Sequence, residues 1–164
     1  MGTQFASVYN RFLGKITDDM YMELTPQDTI ADLQKMLIES IPGFEFPRIS
    51  LSYSLLTRPV TENTANKHGF VITDAEGNGF EDASTFDEVL TSEEIDILAT
   101  LMLNIWLNRQ IASIEHIRMK YSGPDFKLTS QAAHLSKLLA LLEETRRQSH
   151  HMQRLYKRRK TENG

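Results

Sequence analysis

The chain has 164 residues, of which 40% are hydrophobic and 24% are charged, and its formal net charge is −4. These values are typical of one globular domain with its own core, and they argue against wholesale disorder. The chain contains no cysteine, which excludes disulfide scaffolds, thiolate zinc sites and thiol nucleophiles. It also lacks an apolar window long enough for a membrane span and the pattern of a secretory signal, so we expect no membrane partner.

The charge is distributed unevenly along the chain. Residues 18–96 hold 17 acidic and four basic residues, a local net charge of −13, whereas residues 97–164 hold 12 basic and five acidic residues, a local net charge of +7. Such an asymmetry suggests either an anionic partner for the C-terminal part or head-to-tail contact between copies of the chain.

Two helices are predicted near the N-terminus. Apolar residues recur at spacings of three and four over residues 4–16, which indicates a short amphipathic helix. The second helix is predicted to begin after Thr25, a capping residue, because Pro26 follows at the first helical position and Asp28 at the third. Pro42-Gly43 is predicted to end it.

The next part of the chain has the two-residue period of a β-strand. The alternating apolar residues of this predicted strand are Ile49, Leu51, Tyr53 and Leu55. Polar residues 57–69 predict a loop, and Phe70–Thr73 predicts a second strand. Residues 74–79 are rich in turn formers and predict a β-turn that returns to an edge at Phe80. The whole is predicted to be a small β-hairpin insertion at about residues 48–82.

Two long helices are predicted in the C-terminal part. Thr91 and Glu94 have the spacing of a capping box, so the first of them begins there. It is apolar almost all round between Ile95 and Leu107, which means that its own domain or a neighbouring subunit must cover it. Gly123-Pro124 ends it, and Thr129 or Ser130 can cap the last helix.

The predicted fold is mainly α: a helical bundle with a long C-terminal helical hairpin and the small β-hairpin insertion. Residues 1–152 form a single helical domain in this interpretation, and residues 153–164 form a basic C-terminal tail. The apolar stripe of the last helix lapses across residues 143–151, so the stretch beyond it is expected to be solvated or bound to a partner.

No group of residues specifies a reaction or a cofactor. Asp74, Glu76 and Asn78 partly match a calcium loop, but Thr85 stands where its final glutamate belongs, so a conformational turn is favoured. The five histidines never take the spacing of a zinc protease, and adjacent carboxylates such as Glu93-Glu94 indicate a solvated acidic surface. The sequence therefore predicts no enzyme, no metal site and no cofactor.

The basic tail is the one dense cluster of basic residues in the sequence. Its residues are Arg154, Leu155, Tyr156, Lys157, Arg158, Arg159 and Lys160. It could bind nucleic-acid phosphates while Tyr156 stacks on a base, it could be a solvated helix end whose cations complement the helix dipole, or it could be a peg that folds on a protein partner.

The order of these elements resembles that of the head-tail connector, or adaptor, proteins of tailed bacteriophages. The resemblance is carried by residues 12–19 (FLGKITDD), by Phe46-Pro47-Arg48, by the helix through Trp106 and by residues 131–135 (QAAHL). It implies a homo-oligomeric ring, commonly of twelve copies, that binds the portal protein and neighbouring neck or tail proteins and lets DNA pass without sequence-specific binding.

The resemblance also implies roles for particular residues. The apolar girdle of Leu98, Met102, Ile105 and Trp106 fits the hairpin core or a subunit contact, and the segment Arg154–Lys160 fits the docking segment. We therefore expect a structural virion protein, a ring-forming adaptor that assembles in the host cytoplasm. The alternative is a small nucleic-acid-binding or regulatory protein that uses the basic tail.

Overall fold

The structure is a computed structural model that describes residues 2–16, 25–61, 69–120 and 128–162. These residues form four α-helices, a short 3₁₀ turn at Ile41–Gly43 and five short β-strands. The helices are α1 (Phe5–Leu13), α2 (Pro26–Ser40), α3 (Ser92–Lys120) and α4 (Leu128–Glu162). The strands are β1 (Tyr53–Ser54), β2 (Thr57–Val60), β3 (Phe70–Thr73), β4 (Gly79–Asp82) and β5 (Thr85–Phe86).

The prediction of a helical bundle with one β-hairpin is wrong, because the fold is mixed α/β. The strands form two antiparallel sheets, β1–β5 and β2–β4–β3, and β4 lies in the middle of its sheet instead of at an edge. The hairpin of β3 and β4 forms around the predicted turn, but β2 adds a third strand to it. The pattern of β2 is typical of a loop, because three of its four residues, including Pro59, are exposed. An edge strand tolerates both exposed residues and a proline.

The predicted strand over residues 49–55 is mostly absent as a paired strand. Only Tyr53–Ser54 is a β-strand, which pairs with Thr85–Phe86. The predicted loop over residues 57–69 is wrong for β2, and residues 62–68 of it lie outside the described residues. The alternation of apolar and polar residues indicates an extended chain, but it does not show which residues form hydrogen bonds with a neighbouring strand.

The predicted N-termini of α2 and α3 are confirmed. Thr25 Oγ1 accepts a 3.1 Å hydrogen bond from the N–H of Asp28. In α3 the capping box is complete, because the N–H of Thr91 donates to Glu94 Oε1 at 2.8 Å and the N–H of Glu94 donates to Thr91 Oγ1 at 3.2 Å. Both caps satisfy donors that a helix cannot satisfy internally, so residues three apart in the sequence are enough to place each start.

Helix α3 lies at the centre of the molecule and packs against α1, α2 and α4. Leu98 and Met102 are fully buried, Trp106 is almost so, and Ile105 is half-buried against the same core. This girdle, predicted as core or subunit contact, therefore lies in the core of its own chain.

Helix α4 covers α3 with one continuous stripe of buried residues. The stripe consists of Leu135, Leu138, Leu142, Thr145, Ser149, Gln153 and Tyr156, at spacings of three and four. The helix is unbroken through residue 152, where the predicted domain ended. It already includes Thr129 and Ser130, the predicted caps, and Gly123-Pro124 lies outside the described residues.

A buried polar cluster joins α1 and α2 to the sheets. The hydroxyl of Tyr9 donates a 2.6 Å hydrogen bond to Asp82 Oδ2, and the N–H of Ser84 donates to Asp82 Oδ1 at 2.9 Å. Gln34 of α2 donates to Ser84 Oγ at 3.3 Å. Asp82 and Ser84 are fully buried, so these bonds offset their desolvation.

No helix in the described ranges combines the length and the apolar composition that a membrane span requires.

Candidate docking surface

The C-terminal half of α4 is held in place by Tyr156. This residue is fully buried, its hydroxyl donates a 2.7 Å hydrogen bond to Glu94 Oε2, and the same hydroxyl accepts a 2.8 Å bond from the N–H of Arg48. Its ring meets that of Phe44 edge to face, with centroids 5.3 Å apart. Burial, together with the hydrogen bond to Glu94, raises the pKa of Tyr156 to about 12. Tyr156 is therefore a core residue.

Gln153 fixes the loop after α2 against the same helix. Its Nε2 donates to the carbonyl of Gly43 at 3.1 Å, and its Oε1 accepts from the N–H of Glu45 at 2.7 Å. One turn further along, the guanidinium of Arg48 donates to the carbonyl of Tyr156 at 3.1 Å and lies 4.5 Å from the centroid of its ring. The backbone of residues 43–48 is thus tied to α4 at several points.

A groove of about 440 Å³ opens between this loop and α4. We call it the basic groove; it is lined by Glu45, Phe46, Arg147, His150, Gln153, Arg154 and Lys157. Arg147, His150, Arg154 and Lys157 recur at spacings of three, four and three, so they follow one side of the helix. Glu45 is the only carboxylate among the lining residues, but Arg147 is paired with Glu143 and Glu144, so the positive charge of the groove comes mainly from Arg154 and Lys157.

Phe46 presents an apolar ring at the rim of the basic groove. Its side chain is 59% exposed and its backbone has φ of 56°, a left-handed conformation that bulky residues rarely adopt. The ammonium of Lys157 lies 4.5 Å from the centroid of the ring, a cation–π distance. Strained, exposed apolar residues occur preferentially where a protein meets a ligand or partner.

The predicted tail residues differ in their surroundings. Arg154, Leu155, Lys157 and Arg158 are all exposed. Arg159 forms an ion pair with Glu93 at the start of α3, and Lys160 lies in the helix. The structure thus brings Arg154 and Lys157 into the groove, while the burial of Tyr156 removes the predicted stacking of that ring on a base.

The expectation that α4 stops packing against its own domain after Glu143 is wrong. Thr145 and Ser149 continue the buried stripe where apolar residues are missing. Thr145 Oγ1 donates a 2.7 Å bond to the carbonyl of Leu141, so its hydroxyl is buried without losing its hydrogen bond. Small hydroxyl residues can therefore occupy helix–helix contacts that a hydrophobic pattern does not reveal.

The sequence interpretation missed Glu45, Phe46, Arg147 and His150 as members of one surface. The spacing of Arg147, His150, Arg154 and Lys157 was visible in the sequence and could have placed them on one helix side. The contribution of Phe46 could not have been found in this way, because it depends on a loop that lies far from α4 in the sequence.

The turn that partly matches a calcium loop has a conformational role. Asp74 Oδ1 accepts hydrogen bonds from the N–H groups of Glu76 at 2.9 Å and Asn78 at 3.0 Å, which stabilises the turn between β3 and β4. Within the described ranges, no group of three histidine or acidic residues is placed to hold a metal ion.

No protein-family model, no curated protein and no solved structure matches the chain.

Proposed function

We propose that the protein is a structural, non-enzymatic component of a phage virion: a ring-forming adaptor that joins the portal to the neck or tail and lets DNA pass. The proposal is supported by the order of elements in the sequence and by the long helices α3 and α4, which pack against each other. In this proposal the ring assembles in the host cytoplasm on the portal, and the basic groove is the surface by which each copy docks on it.

The observation that carries the proposal is that the helix segment bearing these cations is anchored to its own domain. Gln153 and Tyr156 attach this part of α4 to the loop after α2, so the backbone that carries Arg154 and Lys157 is ordered before any partner arrives. A preformed surface loses less conformational entropy on binding than a flexible tail does. The opposite charge of an acidic protein surface would then supply orientation and a fast encounter.

The test is a charge reversal in the groove with a matched reversal elsewhere. Arg154→Glu combined with Lys157→Glu should weaken binding to purified portal rings by at least about tenfold. Lys35→Glu combined with Lys137→Glu makes the same change of net charge at exposed positions outside the groove and should leave binding unchanged. Native mass spectrometry gives both the occupancy and the copy number per portal, and equal binding by both variants would overturn the docking assignment.

A second candidate function is binding of single-stranded nucleic acid in the same groove. It is favoured by the exposed ring of Phe46 beside Arg154 and Lys157, since a base can stack on an aromatic ring while cations contact the phosphates. Fluorescence anisotropy with a labelled oligonucleotide separates the two functions. A nucleic-acid site requires salt-dependent affinity that Phe46→Ala lowers further, whereas an adaptor surface shows portal binding without such affinity.

A further inference from the structure

The two small sheets share one strand register. Tyr53 pairs with Phe86 and Thr57 pairs with Asp82, and the residue numbers of every pair in β1–β5 and β2–β4 add up to the same value. The N–H of Asp87 donates to the carbonyl of Ser52 at 2.9 Å, and the N–H of Ala83 donates to the carbonyl of Leu56 at 2.8 Å, which extends the register beyond and between the strands. Residues 52–60 are therefore one nearly continuous extended segment along residues 79–87.

The same two bonds show which backbone groups face outward. In an antiparallel ladder the bonded positions alternate, so Ser54, Leu56 and Arg58, together with the carbonyl of Ser52, face residues 79–87. The intervening positions, Tyr53, Leu55, Thr57 and Pro59, direct theirs to the outer edge. Pro59 agrees with this assignment, because proline has no N–H and is tolerated where that position faces away from the ladder.

This outer edge, formed by residues 53–57, carries exposed apolar side chains. Leu55 is 51% exposed, Leu56 is 57% exposed and Tyr53 is 37% exposed. Within the described ranges, no strand pairs with this edge. An edge that combines outward backbone groups with exposed apolar residues and no lysine is a template for adding a strand.

We propose that the strand added to this edge is the same segment of a second copy, antiparallel and centred on Leu55. In this register the outward backbone groups of Leu55 face those of Leu55 in the second copy, and those of Tyr53 face those of Thr57. Each outward N–H of these residues therefore has a carbonyl opposite it, and each carbonyl has an N–H. Tyr53 then lies opposite Thr57 of the second copy, an aromatic residue beside a β-branched one, and Leu55 lies opposite Leu55, an aliphatic pair. Both kinds of pair are favoured across strands.

The charges and the ends of the segment also agree with self-pairing. Arg58 lies opposite the neutral Ser52, so no like charges face each other, and Glu81 already forms an ion pair with Arg58 inside each copy. Pro59 lies opposite Leu51 and limits the shared ladder at both ends. Two copies related by a twofold axis satisfy this edge completely, and no further copy can be added to it. The contact is therefore a different one from those that ring formation or docking through the basic groove would use.

The first test uses the absence of native cysteine. Leu55→Cys places two thiols directly opposite each other, at a Cα separation of about 5.5 Å that a disulfide can bridge. Ser54→Cys lies opposite position 56 of the second copy, which separates its two thiol-bearing residues by more than about 7 Å. A second control is Val89→Cys, at an exposed position outside this segment. Under mild oxidation the Leu55→Cys chain should form covalent dimers at least about tenfold faster than either control chain. Equal rates would overturn the register.

The second test measures association of the full chain by sedimentation velocity. The unmodified protein should sediment as a dimer that dissociates on dilution, and Leu55→Lys should sediment as a monomer because two lysines would face each other. Leu139→Lys changes a leucine of similar exposure on α4, 46% against 51% for Leu55, and should stay dimeric. A monomer at all concentrations, or a dimer that persists in Leu55→Lys with unchanged circular dichroism, would refute self-pairing. Portal binding is measured separately, so either proposal can fail alone.

Discussion

The hydroxyl of Tyr156 donates a 2.7 Å hydrogen bond to Oε2 of Glu94, which connects the last turns of α4 to the first turn of α3. The other oxygen of the same carboxylate, Oε1, accepts from the N–H of Thr91 at 2.8 Å and completes the cap of α3. One carboxylate therefore both begins α3 and holds the end of α4.

Tyr156→Phe should lower the free energy of unfolding by about 1–3 kcal/mol, because the N–H of Arg48 and the carboxylate of Glu94 lose their shared partner inside the protein. Urea titration followed by circular dichroism measures the change. Tyr53→Phe removes a hydroxyl from a 37% exposed residue and should change the free energy by less than about 0.5 kcal/mol. Equal effects from the two substitutions would contradict the role given to the buried contact.

Truncation of the chain should depend sharply on where it is made. Ending the chain at residue 152 removes Gln153 and Tyr156 and exposes Phe44, so we expect a loss of about 3–5 kcal/mol. Ending it at residue 157 keeps both side chains and should cost less than about 1 kcal/mol, since the removed residues contribute mainly exposed charges. Thermal unfolding of the two chains measures the difference, and similar midpoints would show that residues 153–156 do not stabilise the fold.

Stability should fall at alkaline pH. The pKa of Tyr156 is raised from 10.0 to about 12, and the pKa of Tyr9 is raised above its usual range by burial and by Asp82. Below pH 10 both tyrosines are protonated in the folded and the unfolded chain, so their stabilising effect is complete. Above pH 10 the unfolded chain loses these protons first, and stability falls by about 1.4 kcal/mol per pH unit for each tyrosine until the folded pKa is reached.

Urea titrations at increasing pH, with tyrosinate absorbance as the second signal, measure this dependence. In the Tyr156→Phe protein the free energy of unfolding should fall less steeply between pH 10 and 12, because one of the two contributing tyrosines is gone. An unchanged slope in that variant would contradict the raised pKa of Tyr156.

Asp82→Ala should destabilise the protein by about 3 kcal/mol or more. The substitution leaves the hydroxyl of Tyr9 and the N–H of Ser84 without their acceptor in a fully buried site. Asp87→Ala removes an exposed carboxylate a few residues away and serves as the matched control, with an expected change within about 0.5 kcal/mol. Comparable urea midpoints for the two variants would be incompatible with the buried cluster.

The elements that the sequence predicted correctly are those whose signals are local. The side-chain oxygens of Thr25 and Thr91 accept hydrogen bonds from N–H groups three residues later, so all residues of each cap lie within one helical turn. The β3–β4 turn is local in the same sense, since Asp74 bonds to Glu76 and Asn78. The polarity between an acidic N-terminal part and a basic C-terminal part was also readable without a fold.

The elements that the sequence did not predict depend on distant residues. Strand β2 exists because β4 offers it a partner, and its own composition, with Pro59 in it, gives no such indication. The buried stripe of α4 continues through Thr145 and Ser149, which look like surface residues until α3 is packed against them. The basic groove needs a loop and a helix that meet through bonds such as Arg48 to Tyr156, 108 positions apart.

The sequence by itself determined where α2 and α3 begin, where the β3–β4 turn lies and how charge is divided along the chain, because backbone capping and turn formation act over a few residues. Only the tertiary structure decided that the basic C-terminal segment is anchored by Tyr156 and Gln153 instead of being a free tail. The reason is that burial and strand pairing are properties of surfaces that meet after folding, and the hydrophobic period of one segment does not specify its partner.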